Sequence, residues 1–154
     1  MRATKAPLPG VAYRRILVPL GGETDAEHAM VVACRLAAEH GAAITAVAVI
    51  ELPAELPLDA HMLEEEAQAK GLLERAYAIA GGYGVALSGH TLRAREAGRV
   101  IVEEAERVEA EVILLGAPRK VRASRRARVF GRTIGYVLQR ASCRVMLLSP
   151  PPRQ

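Results

Sequence analysis

Val112-Ile113-Leu114-Leu115-Gly116-Ala117-Pro118-Arg119 is an apolar run that breaks at a glycine, and Gly131-Arg132-Thr133 opens a helical pattern twelve residues after Arg119. A strand, a loop and a helix N-terminus are the parts of an anion-binding site, because the first-turn amides are unpaired and the helix dipole is positive there. A phosphate cradle is small and lined by glycine. Here Arg119 and Arg132 stand where those small residues belong. The stretch therefore implies a nucleotide-binding type of module whose ligand site has been altered.

Working outward, apolar runs alternate with amphipathic stretches, the pattern of a parallel sheet flanked by helices. Ile16-Leu17-Val18-Pro19-Leu20 predicts a central strand, and Thr24-Asp25-Ala26-Glu27 reads as a capping box. Ala26, Ala29, Met30, Ala33 and Ala37 then share one helical face, which Gly41 ends. A second strand is expected over 43–50. After Pro53 and Pro57, a helix over 59–80 should carry Leu72, Ala76, Ile79 and Ala80 on one stripe and stop at Gly81, Gly82 and Gly84.

The third strand is expected over 85–92, with Gly89 marking an edge or a bulge. A helix over 98–109 aligns Ala97, Ile101, Ala105 and Val108. The fourth strand is 112–115. The last helix, 132–140, aligns Ile134, Val137, Leu138 and Ala141, and the fifth strand, 144–148, is closed by Pro150-Pro151-Pro152. Five strands and four helices predict one α/β domain: a flavodoxin-like, doubly wound, five-stranded parallel sheet of order 3-2-1-4-5 over 13–150. Residues 1–12 read as a flexible tail or linker remnant, and 151–154 as a C-terminal tail. In such sheets ligands bind at the carboxyl ends of strands where the order reverses, which singles out the loops after Gly21 and Gly116.

The 154 residues suffice for one core, and that core must be built from Val, Ile, Leu and Ala, because the chain holds one Phe, four Tyr and no Trp. The net charge of +4 conceals a division. Residues 1–111 hold 11 basic and 17 acidic side chains, net −6, whereas 112–154 hold 10 basic and no acidic ones. Such asymmetry signals an anionic partner, or a basic end facing the acidic face of a second subunit. No apolar segment is long enough to span a membrane and no secretory leader pattern opens the chain. Cys34 and Cys143 show no metal or redox spacing and read as buried thiols of a reducing cytoplasm.

Arg15-Ile16-Leu17-Val18-Pro19, Val49-Ile50-Glu51, Val112-Ile113-Leu114-Leu115-Gly116, Val129-Phe130-Gly131 and Ala141-Ser142-Cys143-Arg144-Val145 together resemble the universal stress protein family in order and spacing. In its ATP-binding members, Gly-x2-Gly is followed after about nine residues by Gly-Ser or Gly-Thr, the glycines admitting phosphates and the hydroxyl donating to one. An Asp at the end of the first strand contacts the nucleoside. This sequence keeps Gly116 and Gly131. It has Gly21 in place of the Asp, Arg119 in place of the second glycine and Arg132 in place of the hydroxyl residue, with Thr133 one position late.

The resemblance implies a ligand site formed by Leu20, Gly21, Gly22, Val49, Gly116, Ala117, Arg119, Gly131, Arg132 and Thr133. Standard ATP binding is put in doubt: the pocket either takes a different nucleotide or another anion, since arginines are themselves bidentate phosphate binders, or is vestigial and holds no small ligand. It also implies a homodimer paired through the fifth strand. Phe130-Gly131-Arg132-Thr133 after an arginine-rich loop is similar to the stress-protein domains appended to amino-acid permeases and other transporters, which implies a transporter partner at the cytoplasmic face of a membrane.

The basic loop of Arg119, Lys120, Arg122, Arg125, Arg126 and Arg128 reads either as an anion clamp or as a solvated segment. Membrane lipid is one candidate anion. Nucleic acid is the least favoured, because no aromatic residue interleaves with the charges. His28, His40, His61 and His90 are scattered without ligand spacing, and Glu64-Glu65-Glu66 reads as a solvated first turn. No nucleophile elbow, phosphate loop or dinucleotide fingerprint is present, so no enzyme is expected. Three functions remain, in order: a regulatory ligand-binding module with a degenerate ATP site, an interaction protein with a vestigial pocket docking through loop 119–128, and an ATP-binding stress protein with weak hydrolysis.

Overall fold

A computed structural model describes residues 13–21, 26–117 and 131–149. The chain runs β1 (Arg15–Leu20), α1 (Ala26–His40), β2 (Ala43–Glu51), α2 (Leu63–Tyr83), β3 (Leu87–Ala94), α3 (Ala97–Arg107), β4 (Val112–Gly116), α4 (Gly131–Arg140) and β5 (Arg144–Leu148). The sheet is parallel throughout, in the order β3-β2-β1-β4-β5. This is the flavodoxin-like α/β architecture that the alternating pattern predicts.

The central strands explain the layers. Successive strand residues face opposite sides, and β1 and β4 are apolar on both. Ile16, Val18 and Leu20 of β1 and Val112 and Leu114 of β4 pack with α1 and with Ala76 and Ala80 of α2. Leu17, Ile113 and Leu115 face the other way, onto Ile101 and Ala105 of α3 and Ile134 and Val137 of α4. A sheet apolar on both faces must be covered on both. At the amino ends of the strands, Glu111 accepts hydrogen bonds from the Arg14 and Arg15 amides, and its own amide donates to Arg15 O at 2.9 Å.

Several boundaries differ from those read in the sequence. α2 begins at Leu63, not 59, because residues 52–62 form a strap tied down from β3 and the turn after it. Arg95 donates to the carbonyls of Pro53 and Leu56, and Arg93 to those of Leu58 and Ala60. α2 also runs through Gly81 and Gly82 to Tyr83. Only Gly84, at φ 66°, is the left-handed stop. Accordingly β3 starts at Leu87 and reaches Ala94, and α3 spans Ala97–Arg107 in place of 98–109.

Gly89 marks an edge strand without a bulge, since the pairing of β3 with β2 is unbroken from Leu87 to Ala94. The missing side chain makes room for Tyr77, whose hydroxyl accepts from the Gly89 amide at 2.8 Å. Leu138 departs from the predicted buried face of α4 and stands 47% exposed. The capping box at Thr24 and both chain tails lie outside the described residues.

Glu104 of α3 is the one charged side chain buried among the described residues, and it is satisfied. Arg107 donates Nε to Oε1 at 2.9 Å and Nη2 to Oε2 at 2.5 Å, and His90 Nε2 of β3 lies 2.9 Å from Oε2. The scattered histidine of the sequence is thus a structural partner tying β3 to α3. The Arg107 hydrogen bonds hold the Glu104 carboxyl below its ordinary pKa against the opposing effect of burial. A carboxyl depressed in the folded state stabilises above its unfolded pKa, and that contribution disappears as the pH falls through the depressed value. Glu104→Gln should therefore cost about 1–3 kcal/mol at neutral pH. Urea titrations at pH values falling below the ordinary carboxylate range should show the difference from the parent protein shrinking.

Candidate functional site

Every helix runs antiparallel to the strands it covers, so the N-termini of α1 to α4 gather at the carboxyl edge of the sheet. On the side covered by α3 and α4, two of these N-termini open on one cleft of about 500 Å³. That volume suits a small ligand such as a mononucleotide. Its walls are the first turn of α3 and the face of α4 from Gly131 to Gln139, with Glu51 at the end of β2 also lining it.

The helices can approach because Gly98 lies against Tyr136. A Cβ at Gly98 would stand 2.8 Å from the Cβ of Tyr136, closer than two such atoms can come. Tyr136 in turn carries the Arg140 guanidinium 5.7 Å from its ring centre. The floor of the cleft is therefore tight helix–helix packing.

The two helix starts differ in charge. At α3, Glu96 holds the N-cap position in an extended conformation, with no capping hydrogen bond from its own side chain. The cap comes from elsewhere: Glu51 Oε2 accepts from the Ala97 amide at 2.8 Å. β-Sheet register delivers it, since Glu51 pairs with Ala94 and the Leu52 amide donates to Ala94 O at 2.8 Å. A carboxylate at a helix N-terminus is favourable, so the anion position at α3 is occupied by the protein itself.

At α4 the arrangement is reversed. Its first turn contains no acidic residue. Arg132 is exposed there, forms no ion pair among the described residues, and adds a positive charge to the positive end of the dipole. Gly131, at φ 80°, leaves open space where a side chain would stand, and Thr133 is half-buried in the cleft wall. Arg99 also lines the cleft, but its Nε lies 3.4 Å from Glu103. Chemically, the α4 end presents to the cleft a positive charge with no ion pair among the described residues, and the α3 end presents a carboxylate already engaged with the Ala97 amide.

Of the residues singled out in the sequence, Gly131, Arg132 and Thr133 line this cleft. Leu20, Gly21, Val49, Gly116 and Ala117 lie at or near the same carboxyl edge without lining it. Leu20, Gly116 and Ala117 are buried, Gly21 is half-buried, and Val49 packs into the core beneath α3 and α4. Gly22, Arg119, Lys120, Arg122, Arg125, Arg126 and Arg128 lie outside the described residues. Glu96, Arg99 and Tyr136 escape sequence reasoning, and Glu51 reads there only as the end of a strand. The available signal is Glu96-Ala97-Gly98-Arg99, a second strand-to-helix turn at the same edge.

The universal stress protein family model matches residues 12–149. A search of curated proteins finds no match. Among solved structures, the chain is similar to a universal stress protein from Archaeoglobus fulgidus, at TM-score 0.70 and 26% identity over 90% of this chain and 95% of that one. It is similar to the A. fulgidus protein in complex with dAMP, at TM-score 0.68 and 23% identity over 88% and 97%. An Arabidopsis thaliana family protein with AMP bound matches at TM-score 0.66 and 15% identity over 90% and 92%.

The Glu51 cap has a measurable consequence. Glu51→Ala should destabilise the protein by about 0.5–2 kcal/mol, and amide hydrogen exchange should accelerate most in the first turn of α3.

Proposed function

The chain belongs to the universal stress protein family, and from that premise we propose that it is a regulatory module binding an anionic ligand, of nucleotide class, at the first turn of α4. The observation that carries this is Arg132: an exposed guanidinium without an ion-pair partner among the described residues, at the positive end of a helix with no acid in its first turn, on the wall of a 500 Å³ cleft. Unopposed, that arrangement costs about 0.3–1 kcal/mol of helix stability, and an anion reverses the sign. Fold relatives in complex with dAMP and AMP support the ligand class.

Gly21, Arg119 and Arg132 depart from the ATP-binding pattern of the family, so the site is degenerate for ATP. Binding, not catalysis, is the role supported. Glu51, a carboxylate on the cleft wall, is engaged in capping α3 and is poorly placed to activate water.

The second subunit is a separate proposal. β5 forms one edge of the sheet, and Val145, Met146, Leu147 and Leu148 along it are half-exposed. An apolar edge strand of this kind calls for cover, and a second copy paired through β5 supplies it. Light scattering at micromolar concentration should report a dimer. A strictly monomeric mass would remove that pairing.

Docking through loop 119–128 onto an acidic partner is the alternative function, favoured by the concentration of ten basic and no acidic residues after position 111. A transporter as the partner regulated rests only on the similarity of residues 130–133 to permease-appended domains.

A thermal-shift series with AMP, ADP, ATP, cyclic nucleotides and inorganic polyanions tests the main proposal. A ligand at 100 times its Kd should add about 2.7 kcal/mol and raise Tm by several degrees. The shift should be lost in Arg132→Ala. No shift with any nucleotide would favour docking through the basic loop.

A further inference from the structure

We propose that Glu51 and Glu96 set the charge of the ligand, restricting the cleft to a single phosphate and so selecting nucleoside monophosphates over di- and triphosphates. This inference rests on the nucleotide-binding function proposed above and names the ligand class more narrowly.

Two helix N-termini open on the cleft, and in principle each offers an anion position. A ligand with several phosphates could bridge them. In this protein the α3 position is closed, because Glu51 Oε2 already accepts the Ala97 amide at 2.8 Å. The chain's own carboxylate stands where a second phosphate would find its donors.

Glu96 strengthens the restriction. It lines the cleft, is exposed, and makes no capping bond with its side chain. A phosphate displaced toward α3 would meet two carboxylates. Arg99, the cation on that wall, is drawn toward Glu103 at 3.4 Å. Arg132, on the α4 side, is the lining cation with no ion pair among the described residues, whereas Arg99 shares its charge with Glu103 in an exposed pair. Specificity built this way is repulsive: the wrong ligand is refused because its extra charge falls beside a fixed like charge.

The restriction also follows from the sheet. Glu51 is the last residue of β2 and is held in register with Ala94, two residues before the α3 N-cap. Backbone pairing places its Cα beside the start of α3, and its carboxylate can swing aside only by giving up the Ala97 amide.

Isothermal titration calorimetry of the full chain with AMP and with ATP is the test, using the parent protein, Glu96→Gln, and the pair Glu51→Gln with Glu96→Gln. The Glu51→Gln change retains a side-chain oxygen that can accept the Ala97 amide, so the helix start is kept, and thermal melts verify folding. AMP should bind the parent at least about tenfold more tightly than ATP, and the double variant should reduce that ratio below about threefold by strengthening ATP. Glu96→Gln alone should move the ratio in the same direction, which decides the matter if the double variant does not fold. Parent protein that binds ATP as tightly as AMP would overturn the inference while leaving nucleotide binding intact. A preference for AMP that neither variant changes would equally overturn the role of the carboxylates. Failure of both nucleotides to bind would overturn the proposed function itself, and this inference with it.

Discussion

The fold depends on two central strands that have no polar side. Leu17 and Ile113 face α3 and α4 while Ile16, Val18 and Leu114 face α1 and α2, all of them almost completely buried. Parallel pairing of β1 with β4 leaves no hairpin route between strands, so each connection must cross the sheet as a helix. Because each connection leaves the carboxyl end of one parallel strand, the four helix N-termini fall on one edge. The location of the cleft is thus a consequence of burying Val, Ile, Leu and Ala on both sides of a parallel sheet.

What distinguishes the two helix starts of the cleft is local and electrostatic. α3 begins at a residue whose side chain does not cap it, and a carboxylate from the end of β2 supplies the missing acceptor. α4 begins at a glycine followed by an arginine, with no carboxylate in its first turn. The same backbone dipole is neutralised at one helix and reinforced at the other. On the proposed function, that asymmetry gives the cleft one end suited to an anion and one that already holds a carboxylate.

The fold was legible because its signals are local. Apolar runs such as 112–115 and the helical face of Ala26, Ala29, Met30, Ala33 and Ala37 need no knowledge of distant residues. The misplaced boundaries have tertiary causes: Arg93 and Arg95 hold 53–60 as a strap instead of a first helical turn, and α2 continues over two glycines before Gly84 turns left-handed. The site was only half legible. Gly131, Arg132 and Thr133 announce an anion position by chemistry and by order along the chain. Glu51 and Ala97 are 46 residues apart, and only strand register brings them together. Likewise nothing in the spacing of His90 and Glu104 discloses that they meet.

The proposed degeneracy of the site has a counterpart in the backbone. Gly21 stands where the resemblance places an aspartate in ATP-binding relatives, and its φ is 120°, in the region that residues with a Cβ rarely adopt. A Cβ there would lie 3.5 Å from Leu72 Cδ1, an ordinary contact, so space is not the obstacle. The obstacle is conformational strain, of order 1–3 kcal/mol for a non-glycine residue held in such a region. An aspartate here would carry that strain unless the backbone at residue 21 left this φ. On the proposed function, the aspartate anchor is missing at Gly21, near the cleft but not on its wall, and an arginine stands on the wall at α4. The attractive end of the cleft is therefore the first turn of α4, and the opposite end carries Glu51.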